Sequence, residues 1–330
     1  MSEPLSKIPD GLRYYFGAEA RLRRAIEDTA MAVFDGWTYE EIITPSIDYS
    51  ALFERSMGRE HGQRAFRFTD RDGRLLALRP DVTSLVARAA ATLFNERPRP
   101  LRLCYVAPVF RQIPQSHAEW RRESVQLGCE FIGSGGAPAE VEMLAIAVEV
   151  LDRIKLGGHY RITLNSVEVF NGAAEHLQLD EPQRERMRHL IDVRDSAELR
   201  RFLASLKVSE GDCAAFSRLT RMTGQHEILD DARRIITNPR SMAAIEELEH
   251  IWQIIETTGL AESFEIDLGD VSGLDYYTGV TFKVYVEGAG ARIGSGGRYD
   301  GLIANFGSSE PAVGFVLDLD ALTDVLMRSG

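Results

Sequence analysis

Two carboxylates, a glutamine, a threonine, two tyrosines and an arginine carry the chemistry legible in this chain. The stretch ESVQLGCEFIG at 123–133 reads as a β-strand whose side chains alternate between faces. Val125, Leu127, Cys129 and Phe131 fall on one face, and Gln126, Gly128 and Glu130 on the other. A carboxylate on an apolar strand costs several kcal/mol if it is buried without a partner. Gly128 adds no side chain between Gln126 and Glu130, which opens space above the strand, and a bound cation in that space would satisfy Glu130. A solvated outer face of an antiparallel sheet accounts for the same pattern.

The other polar motifs are equally two-sided when taken singly. RPDVT (79–83) supplies Asp81 and Thr83 at a helix start, where Asp81 serves either as a ligand acid or as an N-cap on backbone N–H groups. GLDYYTG (273–279) sets Tyr276 and Tyr277 between glycines, either lining a polar pocket or split between core and rim. GSGGRYDGL (294–302) leads through glycines to Arg298, Tyr299 and Asp300, and such glycines often mark only a tight turn. Arg111 ends a strand, an ordinary surface position.

The elements that must position these residues follow from hydrophobic periodicity. Residues 14–35 read as a helix through Leu22, Ile26, Ala30 and Val33, stopped at Gly36. A strand at 40–45 ends at Pro45, which has no N–H to pair. Strands at 64–70 and 74–80 join through Asp72-Gly73, a hairpin signal. A helix at 82–95 follows, then a strand pair at 102–110 and 123–133 around an irregular loop, a helix at 137–155 and a strand at 160–166. Residues 167–262 lose strand signals and read as an inserted helical subdomain; strands and a final strand–helix unit resume after it. The fold class expected is α+β, an antiparallel sheet flanked by helices, in one domain over 1–330.

Composition narrows the function classes. The formal net charge is −12, whereas a protein gripping nucleic acid needs a basic face to neutralise phosphates. No apolar stretch approaches the length of a membrane span, and the N-terminus lacks the apolar core of a signal peptide, so a cytoplasmic location is expected. Cys104, Cys129 and Cys213 are too scattered for a disulfide framework and are expected to be buried thiols. The seven histidines form no ligand cluster, so neither a metal nor another cofactor is expected.

The order of the motifs says more than any one of them. TPSIDY (44–49), LRPDVTSLVARAA (78–90), VFRQIPQSHAEWRRESVQLGCEFIGS (109–134), GLDYYTGVTF (273–282), GSGGRYDGL (294–302) and PAVGFVLDLDAL (311–322) together resemble the catalytic domain of histidyl-tRNA synthetase, a class II aminoacyl-tRNA synthetase. The resemblance implies a histidine-binding set of Asp81, Thr83, Gln126, Glu130, Tyr276 and Tyr277, with Arg111 retained from the second signature. Asp81 stands where that family has glutamate. Ser272 and Ala321 stand where it has arginines that hold ATP phosphates, and Ile113 where it has an acid. Losing one preorganised charge-stabilising donor typically lowers a rate by about 10²–10³, so adenylation is not expected. No anticodon-binding module is expected after the last motif.

A synthetase-like fold with a histidine pocket and no ATP clamp is similar to the ATP phosphoribosyltransferase regulatory subunit family. That resemblance implies a non-catalytic chain, a homodimeric core through residues 14–45, and a hetero-octamer with the short-form catalytic subunit. It also implies activation of that subunit and feedback inhibition by L-histidine in the first step of histidine biosynthesis, with no tRNA and no membrane partner. Two other readings stay open on the residues alone: a truncated histidine-activating enzyme, and an interaction protein of the same fold that binds no histidine.

Overall fold

The computed structural model describes residues 6–113, 120–271 and 276–329. The chain runs α1 (Gly17–Gly36), β1 (Glu40–Glu41), β2 (Ile47–Tyr49), α2 (Ser50–Met57), α3 (Arg59–Gln63), β3 (Arg67–Thr69), β4 (Leu75–Leu78) and α4 (Thr83–Thr92). The sheet then builds through β5 (Leu101–Phe110), β6 (Glu123–Ile132), α5 (Ala137–Arg153) and β7 (Tyr160–Ser166). A helical stretch follows: α6 (Val167–Ala174), α7 (Glu181–Asp192), α8 (Ser196–Ser205), α9 (Glu210–Leu219), β8 (Thr223–Gly224), α10 (Glu227–Arg233) and α11 (Pro239–Thr258). The chain closes with β9 (Phe264–Asp267), β10 (Val280–Val286), β11 (Gly294–Arg298), α12 (Asp300–Ala304), β12 (Ala312–Asp318) and α13 (Leu319–Ser329).

The nine-stranded sheet has the order β1-β5-β6-β12-β11-β10-β7-β9-β8. From β5 to β7 every pairing is antiparallel, as the sequence pattern implies. The outer pairs β1–β5 and β7–β9 are parallel, which makes the sheet mixed. The segment expected as a strand at 40–45 pairs only over Glu40–Glu41, and the chain resumes pairing after Pro45 as β2. There it joins β4 and β3 in a separate three-stranded sheet, order β2-β4-β3. Within 167–262 the expected loss of all strands is not complete: β8 pairs with β9 at the sheet edge.

Both faces of the large sheet are covered. Ile26, Ala30, Val33 and Phe34 of α1 pack with Leu127 and Cys129 of β6 and with Met143, Ala147 and Val150 of α5. Phe170 of α6 and Leu248 and Trp252 of α11 belong to this same core, so α6 and α11 close onto β7 and β10. A second cluster on the Glu130 side gathers Phe53 of α2, Leu85 and Val86 of α4, Tyr105 of β5 and Leu302 of α12. The solvated outer face considered for Gln126 and Glu130 is therefore not what forms. Cys104 and Cys129 are buried, but Cys213 is only partly so, because it lies on the outer helix α9.

Candidate functional site

Glu130 is 1% exposed and stands at the centre of the covered face. Its strand neighbours make the room: a Cβ added at Gly314, its partner on β12, would sit 1.8 Å from Glu130 Oε2. The Thr83 hydroxyl donates to Oε1 at 2.7 Å and the Tyr105 hydroxyl to the same oxygen at 3.0 Å. The Tyr299 hydroxyl donates to Oε2. The space opened by Gly128 is thus filled from within, because a Cβ there would lie 2.5 Å from Tyr105 Cζ. A cation directly above Gly128, as the strand pattern implies, has no room.

Burial sets the protonation state, against these hydroxyls. Burial lifts the Glu130 carboxyl to about 8, opposed by the hydrogen bonds from Tyr299 and Thr83 and reinforced by the nearby Asp81 charge. At neutral pH Glu130 is therefore held largely as the acid.

Asp81 shows why RPDVT folds as it does. Its Oδ2 accepts from the Ser84 N–H at 3.0 Å and the Ser84 hydroxyl at 2.9 Å, so it does hold the first turn of α4. Burial raises its carboxyl, and the Ser84 bonds and the Arg111 charge oppose the rise. Arg79, also buried, donates to the carbonyls of Pro108 at 2.7 Å and Thr44 at 2.6 Å, which ties this turn to the end of β5.

Gln126 is 7% exposed, and its Oε1 has no hydrogen-bond partner among the described residues. The rings of Tyr276 and Tyr277 meet edge-on at 4.9 Å, and Tyr276 meets Tyr299 at 5.8 Å. Burial pushes both hydroxyls of the pair well above the ordinary tyrosine range, so they stay neutral donors. Gly297 keeps room for them, since a Cβ there would fall 2.9 Å from Tyr277 Cε1.

A cavity of about 990 Å³ runs along this face, lined by Asp81, Thr83, Arg111, Gln126, Glu130, Tyr276 and Tyr277. All the residues expected from the motifs are brought together. Tyr105 and Tyr299 complete the Glu130 site and are absent from that expectation. Tyr299 lies inside the GRYD motif, while Tyr105 is recognisable only once the β5–β6 register sets it opposite Gly128.

Around Ala321, where an ATP clamp would place an arginine, the carboxylates and arginines pair with one another. Ala321 lines the cavity, and its N–H donates to Asp318 Oδ1 at 2.8 Å. Burial, aided by the Asp320 charge, pushes the Asp318 carboxyl up to about 6. Arg121 is already engaged by Asp324. Ile113 is exposed. Ser272, the other position lacking arginine, lies outside the described residues. Among the described residues no group of three or more His, Cys, Asp or Glu stands ready to hold a metal ion.

The family model for histidyl-tRNA synthetase matches residues 11–322. An ATP phosphoribosyltransferase regulatory subunit from Syntrophotalea carbinolica is 36% identical over 328 residues, 99% of this chain and 76% of that protein. A second, from Moorella thermoacetica, is 35% identical over 316 residues, 96% of this chain and 81% of that protein. The chain belongs to the ATP phosphoribosyltransferase regulatory subunit family. Its role is accordingly that of a regulatory subunit and not of a catalyst. A solved structure described as an ATP phosphoribosyltransferase regulatory subunit/histidyl-tRNA synthetase, from Bacillus halodurans, superimposes with a TM-score of 0.87 at 29% identity. The match covers 98% of this chain and 84% of that one. A histidine–tRNA ligase subunit from Alicyclobacillus acidocaldarius shares the fold, with a TM-score of 0.83 at 24% identity over 100% of this chain and 99% of that one. The class II synthetase-like α+β fold read from the motifs is thus the fold of this regulatory subunit.

Proposed function

We propose that this regulatory subunit binds free L-histidine in the Glu130 pocket and passes that occupancy to the short-form catalytic subunit of ATP phosphoribosyltransferase. Docking activates the catalytic chain, and histidine inhibits it, at the first step of L-histidine biosynthesis. The observation that supports this most is the bare Oε1 of Gln126. A buried acceptor without a partner costs about 1–3 kcal/mol, and a ligand ammonium would satisfy it. Asp81 and Glu130 add acidic groups beside that ammonium, Thr83 adds a hydroxyl, and Tyr276 and Tyr277 give neutral donors and ring edges for an imidazole. Arg111 supplies a cation for the ligand carboxylate.

Gln126→Leu is the direct test. It deletes an unsatisfied acceptor, so the melting temperature is expected to hold or rise. Histidine affinity, measured by calorimetry, is expected to fall about 10–150-fold, the loss of one charge-assisted hydrogen bond of roughly 1.5–3 kcal/mol. A variant that binds like the parent places histidine elsewhere.

The assembly we propose is a homodimeric core within a cytoplasmic hetero-octamer that engages neither tRNA nor membrane. No helix among the described residues is long and apolar enough to cross a membrane. The homodimer is supported by apolar side chains left in solvent around the first motif: Ile43 is 88% exposed, and Ile47, Tyr49, Phe68 and Leu75 are exposed nearby in sequence and on the small sheet. Ile43→Glu is expected to shift the protein to monomer in sedimentation at micromolar concentration, with stability changed by less than about 0.5 kcal/mol. A dimer of undiminished strength rejects this surface.

A further inference from the structure

The GSGGRYDGL motif does a second job on the far side of the sheet. Side chains at the end of β11 alternate, so Arg298 and Tyr299 leave the backbone on opposite sides. Tyr299 donates to Glu130 in the pocket. Arg298, 5% exposed, turns away from it, and its Nε donates to Glu140 Oε1 of α5 at 2.5 Å. Its Nη1 donates to Asp300 Oδ1 at 3.0 Å. Glu247 of α11 feels the same guanidinium: burial raises its carboxyl and the Arg298 charge opposes that rise.

Backbone contacts carry this hub back to the pocket. The Thr278 N–H donates to the Arg298 carbonyl at 2.8 Å, and the Asp300 N–H donates to the Thr278 hydroxyl at 2.9 Å. The Ala312 N–H of β12 donates to Asp300 Oδ1 at 2.9 Å. Gly279 is bare where the arginine passes, since a Cβ there would lie 3.1 Å from Arg298 Cδ. The segment fastened in this way is the one that begins with Tyr276 and Tyr277. Stability alone is a poor reason for the pair: Glu140 Oε2 lacks a hydrogen-bond partner, and buried ion pairs often stabilise no more than apolar residues of similar volume.

We propose that the buried Arg298–Glu140 pair is a positioning element for the pocket, holding the Tyr299 hydroxyl on Glu130 and the Tyr276–Tyr277 rings against the cavity. The identity of the ligand it serves rests on the histidine reading above. Arg298→Ala would strand a buried carboxylate and is expected to unfold the chain, so the test uses Glu140→Gln, which keeps shape and an acceptor.

Histidine affinity and melting temperature are measured for the parent, Glu140→Gln, Tyr299→Phe and the double variant. Glu140→Gln is expected to weaken histidine binding on the order of 2–30-fold. In the Tyr299→Phe background the same substitution should add little further loss of affinity, while its effect on melting temperature stays the same. A purely structural pair gives additive affinity losses or none, and either result overturns the proposal. A parent that takes up no histidine removes the ligand reading instead. The pair is then judged without ligand, by the titration of the Glu130 carboxyl in ¹³C-glutamate-labelled protein. Loosening Tyr299 withdraws a hydrogen bond from Glu130, so Glu140→Gln should raise that midpoint. An unmoved midpoint rejects the positioning role.

Discussion

In a complex reconstituted with the short-form catalytic subunit, Glu130→Gln in this chain alone is expected to raise the half-inhibitory histidine concentration about 10–150-fold. The cationic ammonium of histidine draws the Glu130 proton off, because a nearby opposite charge favours the ionised acid. Glutamine keeps the side-chain volume and an acceptor for Thr83 and Tyr105, but it cannot ionise, so the charge-assisted part of the contact is lost. Linkage then fixes the reading: a weaker ligand shifts the catalytic equilibrium only at correspondingly higher concentration. Each complex is compared with its own rate without histidine, which removes any change in activation from the ratio. Inhibition at the parent concentration would mean that histidine acts elsewhere. A catalytic subunit that neither coelutes with this chain nor gains activity from it sinks the regulatory pairing itself.

What the sequence showed of the fold followed the strength of each periodic signal. Tyr160–Ser166 is bounded as the apolar alternation bounds it, and β5 and β6 differ from expectation by a residue. The helix α1 starts at Gly17, three residues inside the expected start, because Phe16 before it is extended. The misreading at 40–45 has a clear cause. Ile42 and Ile43 mark an apolar segment, but a strand also needs a partner, and the ladder with β5 covers only Glu40 and Glu41, with one further bond from the Ile42 N–H to the Cys104 carbonyl. The parallel edge pairings escape for the same reason, since alternation does not record direction.

The site was legible as a set of residues and not as a geometry. Motif order assembled Asp81 and Thr83 with Gln126 and Glu130 although the first pair belongs to the start of α4 and the second to β6. What it could not show was where the glycines point. Gly128 looked like a vacancy above the strand, yet Tyr105 arrives from the neighbouring strand and fills it. The room that Glu130 does have comes from Gly314, nearly two hundred residues along the chain, and only the β6–β12 register reveals it. Asp81 accepts from Ser84 in the first turn of α4 and also lines the cavity, a combination that the motif alone does not show.

Between pH 5 and pH 8 the ligand-free parent is expected to lose stability relative to Glu130→Gln. In the unfolded chain the glutamate titrates near 4.5, whereas in the fold it titrates at about 8. Between those values the folded protein keeps a proton that the unfolded chain has released, so raising the pH favours unfolding. The stabilising contribution is complete below pH 4.5, declines across the window and is gone once the pH has passed 8. One such group gives a slope of at most about 1.4 kcal/mol per pH unit. Asp81 and Asp318 are also raised by burial, but both are present in the variant and largely cancel in the difference. Urea unfolding of the two proteins at pH 5, 6, 7 and 8 measures the gap directly. It should widen in favour of the glutamine variant as pH rises. Saturating histidine should close it, because the bound ammonium already holds Glu130 ionised. A gap independent of pH would mean that the hydroxyls of Thr83, Tyr105 and Tyr299 hold a carboxylate in the empty pocket, and the proton exchange on which the first prediction rests would go with it.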